Sequence, residues 1–315
     1  MPPQGQRQSN KNYDSRCRER VASDQVSTLM GLIRSIVVFT VMAVTVIPVT
    51  LVIIVTAPFI SHEARWWYLA RPWLRWAIEL VRVVGGIAYT VEGEELLPDV
   101  TLSQRIILCP KHQSTWETFF FASRMPAPLA YVFKRELLYI PFFGWAMACL
   151  NMIPIDRSAG RDAWSKVASL GEELMNRGKW MIMFPEGTRS VRGTQGVYKT
   201  GAARLAVATG ASIVPVAVTS ARCWPRKSFT FIPGTIAVSI GKPIAPAPGE
   251  SPAELMKKVE EWIETEMRRL DPEAYPQVQR VQTIEEREAA LSQALEARAA
   301  AARAAQGGMS ADEHV

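Results

Sequence analysis

Between Ser35 and Ser61 the chain carries no charged residue: SIVVFTVMAVTVIPVTLVIIVTAPFIS. About 20 apolar residues suffice to cross a bilayer, so this stretch commits the chain to a membrane. A cleaved signal peptide does not fit, because its apolar core runs to only about 7–15 residues behind a short basic start. Arginines flank the stretch on both sides, at 16, 18, 20 and 34 before it and at 65, 71, 75 and 82 after it. The positive-inside rule therefore places both flanks on one face of the membrane. Pro48 falls at the middle, where it would break or kink a helix. A helical hairpin dipping into one leaflet is expected over residues 35–60, in preference to a single span. Each arm would have about 12–13 residues, roughly 18–20 Å of helix, too short for a ~30 Å hydrocarbon core.

The next stretch, RWWYLARPWLRWAIELVRVVGG (65–86), carries the membrane theme further. Beyond Pro72, residues Arg75, Glu79 and Arg82 recur at helical spacing as one polar stripe, while Trp73, Trp76, Leu80 and Val84 lie on other faces. A basic, Trp-rich amphipathic helix suits the headgroup layer; the alternative is an ordinary surface helix packed on the domain.

After Gly85-Gly86 short apolar runs alternate with helical segments, which predicts an α/β fold: a mostly parallel central sheet flanked by helices. Strands are expected at 88–91, 105–109, 129–133, 180–184, 212–218 and 235–240. Helices are expected at 115–123, 162–177, 201–209 and 252–270. Gly178 and Gly210 stand just past two helix ends, and SPAE (251–254) is a capping box with Pro at the first helical position. Four segments follow: a basic N-terminal piece (1–28), a membrane-associated helical region (29–86), the α/β domain (87–275) and a polar Ala/Glu/Arg-rich tail (276–315). The whole is 315 residues with a formal charge of +6, which suits an anionic partner such as a membrane surface or a phosphorylated substrate. No DNA- or RNA-reading motif is present, so nucleic acid is not expected. The four cysteines are scattered and lack metal-ligand spacing, so reduced structural thiols and no metal are expected.

Loops after strand ends carry function in such folds, and three of them here are unusually polar. The first is CPKHQSTWETFFF (109–121), which holds His112. Ser114 and Glu117 have capping-box spacing, the bland account of that carboxylate. The functional account is that Glu117 folds back to accept the Nδ1–H of His112 and leaves Nε2 as a general base. In the second, KWMIMFPEGTRSVRGTQGVYKTGAARLA (179–206), a buried strand opens into a loop with Glu186, Gly187, Thr188, Arg189, Arg192 and Lys199. A helix N-terminus follows. Backbone N–H groups and a guanidinium there could cradle a phosphate, or the loop could be a solvated basic one. It is not a Walker A motif. The third, VFKRELLYIPFFGWAM (132–147), sets Lys134 and Arg135 at a strand end before an aromatic run. No Gly-x-Ser-x-Gly elbow or Rossmann fingerprint appears, which disfavours a serine hydrolase or a dinucleotide enzyme.

Taken in order, these clusters resemble the glycerolipid acyltransferase superfamily, most closely its bacterial 1-acylglycerol-3-phosphate acyltransferases. The family pattern is His-x4-Asp, Lys-x-Glu-Leu-x3-Pro-x2-Gly, Phe-Pro-Glu-Gly-Thr-Arg and a Val-Pro strand. Here it reads His112 to Glu117, KRELLYIPFFG (134–144), FPEGTRS (184–190) and IVPVAV (213–218), with PIDRS (154–158) also matching. The likeness covers about residues 85–245. It departs at Glu117, where the family usually has Asp and this chain has one methylene more.

The resemblance implies a transfer of a fatty acyl group from a thioester, acyl-CoA or acyl carrier protein, to the sn-2 hydroxyl of lysophosphatidic acid. No bound cofactor is implied. His112 would be the base and Glu117 its orienting acid. Arg189, Lys134 and Arg157 would hold the glycerol phosphate, with Glu186, Gly187 and Thr188 completing that loop. Cys109 ends a buried strand and is expected to be structural rather than an acyl carrier. Membrane lipids, an anionic surface and the thioester donor are the implied partners. A bacterial inner membrane with the catalytic domain on its cytoplasmic face is the implied location. Two alternatives stand: an acyltransferase for another lyso-lipid, such as lyso-ornithine lipid, and a lipid-binding scaffold that keeps the fold without catalysis.

Overall fold

The computed structural model describes residues 4–100, 104–156, 160–275 and 279–280. Most of the polar tail and Arg157 lie outside the described residues. A long helix, α1 (Gln4–Thr56), is followed by α2 (His62–Arg65), a π-helical turn (Trp66–Ala70) and α3 (Arg71–Val83). The domain then runs β1 (Ile87–Glu92), β2 (Ile106–Pro110), α4 (Trp116–Arg124), β3 (Leu129–Lys134), α5 (Phe143–Cys149) and β4 (Ile153–Ile155). After these come α6 (Gly160–Asn176), β5 (Trp180–Ile182), β6 (Thr194–Gln195), α7 (Gly201–Thr209) and β7 (Ser212–Val218). It closes with β8 (Gly234–Ile240), α8 (Pro252–Leu270) and β9 (Gln279–Arg280).

Seven strands form one sheet in the order β1-β8-β7-β2-β5-β3-β4. The five from β7 to β4 are parallel, β8 is antiparallel to β7, and β1 pairs parallel with β8. The expected mostly parallel sheet is present. Its centre is buried on both faces, as parallel sheets require. Ile106 and Leu108 of β2 join an apolar cluster with Trp116, Phe120 and Phe121, while Ile107 and Cys109 join Leu205, Ile213 and Val259 on the other face. β4 escapes sequence reading because it is three residues long and contains Pro154. β4 lies at the sheet edge, where a proline's missing N–H is tolerated. The SPAE capping box is formed at Ser251 and Glu254.

The expected hairpin within residues 35–60 is not what forms. Helix α1 runs unbroken through Pro48 to Thr56. Proline removes one helical hydrogen bond, whereas two arms with a turn between them would leave several backbone groups unpaired in an apolar setting. The reversal comes later, at residues 57–61, and α3 returns antiparallel to α1. Ser35 Oγ accepts the Phe231 N–H at 2.8 Å near one end of the pair. Trp73 Nε1 donates to Thr45 Oγ1 at 3.2 Å in the middle, and Arg65 Nη1 donates to Ala57 O at 2.7 Å near the other end. A Cβ at Gly31 would stand 2.6 Å from Phe231 O, so only glycine permits this close approach. The helix thus lies lengthwise against the domain. Its outer side leaves Ile33, Val37, Val44, Leu51 and Val55 exposed, and Tyr139, Phe143 and Trp145 around α5, which α1 contacts, are exposed too. An apolar surface of this extent fits contact with a membrane or a partner.

Candidate active site

The carboxyl ends of β2, β5 and β7 lie side by side, and three loops leave them together. The β2 exit carries Lys111 and His112, the β5 exit carries Phe184 to Ser190, and the β7 exit carries Ser220. This is where open α/β sheets place their sites.

His112 Nδ1 lies 2.6 Å from Glu117 Oε2. The Glu117 side chain is fully buried and that of His112 is 16% exposed, so the ring is the member of the pair that reaches the surface. The imidazole stacks on Phe184 with centroids 3.8 Å apart and an interplanar angle of 22°. The other oxygen of Glu117 is also occupied. Oε1 accepts the backbone N–H of Gln113 and of Ser114, each at 2.9 Å, and a hydrogen bond from Ser220 Oγ. Only half of the expected capping box is present: Glu117 Oε1 takes the Ser114 N–H, but Ser114 Oγ accepts from the Trp116 N–H and the N-cap is Thr115, while Oε2 lies on the imidazole. Helix α4 begins at Trp116, so its unpaired N–H groups favour a carboxylate here.

Glu186 stands elsewhere than expected. It is buried and turned inward, with Oε2 accepting the His112 backbone N–H at 3.0 Å and Oε1 2.8 Å from Lys111 Nζ. Lys111, also fully buried, reaches Glu264 Oε1 of α8 at 2.7 Å, and Tyr198 Oη donates to that same oxygen at 2.8 Å. Burial alone would lower the Lys111 pKa, but Glu186 and Glu264 outweigh it and hold it above the ordinary value. For Glu186 burial outweighs Lys111, and its pKa is raised. A Cβ at Gly196 would stand 2.8 Å from Glu186 Oε1, which is why the loop passes this carboxylate with a glycine. So Glu186 fixes the backbone of His112 and is paired with Lys111. Ser190 assists, its N–H donating to His112 O at 2.7 Å.

Among the other residues expected to bind phosphate, Arg189 reaches the loop of the base: its Nη1 donates to Thr115 Oγ1 at 2.7 Å, at the start of α4. Gly187 takes φ +66°, and Lys199 Nζ lies 3.0 Å from where its Cβ would be, so this turn is kept for glycine. Thr188 is exposed beside it. Lys134 is exposed at the end of β3, which β5 separates from β2, and its Nζ lies 3.0 Å from Glu136 Oε1. Cys109 is buried, and burial pushes its thiol pKa far up, which suits packing and not nucleophilic attack.

Reasoning from sequence missed Ser220, Lys111 and Glu264. A lysine directly after a buried strand was the one available signal; nothing local marks the other two.

The chain is similar to known proteins. The Acyltransferase family model matches residues 88–219, a span that holds His112, Glu117, Glu186 and Arg189 and ends one residue before Ser220. A 1-acyl-sn-glycerol-3-phosphate acyltransferase of Pseudomonas aeruginosa is 42% identical over 219 residues, covering 69% of this chain and 83% of that protein. The protein of the same name from Saccharomyces cerevisiae is 32% identical over 170 residues, 53% of this chain and 54% of its own. The crystal structure of the 1-acyl-sn-glycerophosphate (LPA) acyltransferase PlsC from Thermotoga maritima has the same fold. It superposes with a TM-score of 0.66 at 24% identity, covering 78% of this chain and 98% of that one.

Proposed function

The chain is an enzyme of the glycerolipid acyltransferase family, and from that premise we propose that it acylates the sn-2 hydroxyl of 1-acylglycerol 3-phosphate to give phosphatidic acid. One observation carries this reading: a partly exposed imidazole held by a fully buried carboxylate through Nδ1, at 2.6 Å. That bond sets the tautomer and presents Nε2 to the acceptor. A neutral alcohol is a weak nucleophile, so His112 takes its proton as the oxygen attacks the acyl carbonyl. Glu117 stabilises the imidazolium. The C–O ester bond then forms, the C–S bond breaks, and the proton passes from His112 to the leaving thiolate. A thiol pKa of about 8.5 makes that departure easy without further help. Arg189, whose partner in the fold is a neutral hydroxyl, is the cation best placed to take the acceptor phosphate.

Acceptor and product are membrane lipids, and the donor is a soluble thioester, either acyl-CoA or acyl carrier protein. Because α1 lies lengthwise on the domain, the apolar helix supports seating the domain on the membrane surface, with the N-terminus on the same face as the site. In a bacterium that face is the cytoplasmic side of the inner membrane. Labelling of Ser9→Cys and Ser310→Cys in oriented vesicles, after replacing the native cysteines, should modify both from one side; labelling from opposite sides refutes this placement.

The activity itself is tested with the purified protein in lipid vesicles, offered a panel of lyso-lipids with one thioester at a time. Lysophosphatidic acid should be preferred. A preference for lyso-ornithine lipid or a lysophospholipid with a larger headgroup overturns the acceptor assignment. His112→Ala should lower the rate about 10²–10⁴-fold while leaving membrane binding intact.

A further inference from the structure

We propose that Ser220, at the exit of β7, is a positioning residue that pins Glu117 from the side opposite His112 and thereby sets how strongly the carboxylate holds the ring. The inference rests on the acyltransferase reading above. Ser220 is fully buried and sits in a 3₁₀ turn (Ser220–Arg222) 103 residues from Glu117 in the chain. Its hydroxyl donates to Glu117 Oε1. The other two donors to that oxygen, the N–H groups of Gln113 and Ser114, belong to the same loop as the base and move with it. Among the described residues, Ser220 is the donor that ties the acid to the exit of the neighbouring strand.

The need for it follows from the length of the side chain. A glutamate has one more rotatable bond than an aspartate, so its carboxylate must be fixed at the far end to keep Oε2 at 2.6 Å from Nδ1. A hydroxyl donating to a carboxylate also draws charge toward itself. Oε1 shares its charge with three donors, and Oε2 offers the imidazole correspondingly less. Removing Ser220 would therefore loosen the ring and strengthen the remaining attraction for a proton on it. The other ionisable groups around the pair stay in place: Glu186 on the His112 N–H, Lys111 behind it, Arg189 on Thr115, and Tyr131, whose Oη donates to Thr118 O at 2.8 Å.

The test is the pH dependence of kcat/KM for Ser220→Ala with lysophosphatidic acid and a saturating thioester. Since the base must be neutral to act, the acid limb should move up by about half to one pH unit. At the plateau kcat should fall about tenfold with KM for the acceptor unchanged. Ser220→Cys keeps the volume with a weaker donor and should shift the limb in the same direction by less, which preserves the test if the alanine variant does not fold. In a Glu117→Gln background Ser220→Ala should cost little more, because both act through one carboxylate. A limb that coincides with the wild type, or a loss that multiplies independently in the double variant, overturns the inference. Absence of transfer by the wild-type protein to every lyso-lipid would overturn the acyltransferase reading instead.

Discussion

Two buried carboxylates touch the same histidine, and they differ in what neutralises them. Glu186 already has a counterion: Lys111 lies 2.8 Å away, and Glu264 shares that lysine at 2.7 Å. Glu117 has none; its only ion-pair partner among the described residues is His112 itself. Its charge rests on three hydrogen-bond donors and the start of a helix. A proton arriving on the ring therefore supplies Glu117 with the cation it lacks, whereas Glu186 gains nothing from it. On the proposed mechanism catalysis needs interactions that strengthen as charge develops, and of these two carboxylates the one without a counterion fits that need. The paired one serves the fold.

The strongest way to break this comparison is Lys111→Met. It leaves Glu186 and Glu264 buried without their cation, and losing one partner of a buried pair costs about 3–5 kcal/mol. A fall of that size in unfolding free energy is expected, read by denaturant titration in detergent. A variant with wild-type stability but no activity would mean that Lys111 works in the chemistry and that the two carboxylates have been assigned the wrong way round.

Next in size is Glu117→Gln, which keeps shape and removes charge. Turnover should fall about 10²–10³-fold, equal to about 2.7–4 kcal/mol of lost transition-state stabilisation. Stability should change much less than in Lys111→Met. Comparing the two melting curves sharpens the distinction, because an acid that merely caps α4 would show the opposite ranking.

The sequence makes one half of this picture readable and hides the other. His112 and Glu117 are five residues apart, so their pairing follows from one short loop leading into the first turn of α4. Arg189 stands in a motif whose order along the chain is visible. Lys111 and Glu264 are 153 residues apart, and Ser220 is 103 from Glu117; such contacts exist only once β2, β5, β7 and α8 are packed. Glu186 misleads for a related reason. A glutamate beside Gly, Thr and Arg reads as part of a polar loop, and burial against a lysine from another strand leaves no local trace. At Pro48 a local rule was outweighed, since one missing helical bond is less costly than a reversal inside an apolar segment.

The cations divide along the same line. Lys111 is committed to two carboxylates, while Arg189, among the described residues, donates to a neutral hydroxyl. Arg189→Ala should raise KM for the phosphorylated acceptor about 10–30-fold with a smaller effect on kcat, and Arg189→Lys should restore only part of the affinity, since it keeps the charge without the planar fork. Equal damage with a phosphate-free lyso-lipid would show that Arg189 supports α4 and leaves the substrate alone.

Lys134 should give the smallest effect. It is exposed, β5 stands between its strand and that of His112, and its ammonium already lies 3.0 Å from Glu136 Oε1. Exposed pairs of this kind contribute about 0.2–1 kcal/mol and are screened by salt. To serve a phosphate, Lys134 would have to leave Glu136 and reach across the width of a strand. Lys134→Ala should therefore raise KM for lysophosphatidic acid by less than about threefold, and the difference should vanish as ionic strength rises. Steady-state kinetics at low and high salt decide it. A tenfold increase in KM that persists in salt would place Lys134 with Arg189 among the cations that lack a counterion until substrate binds.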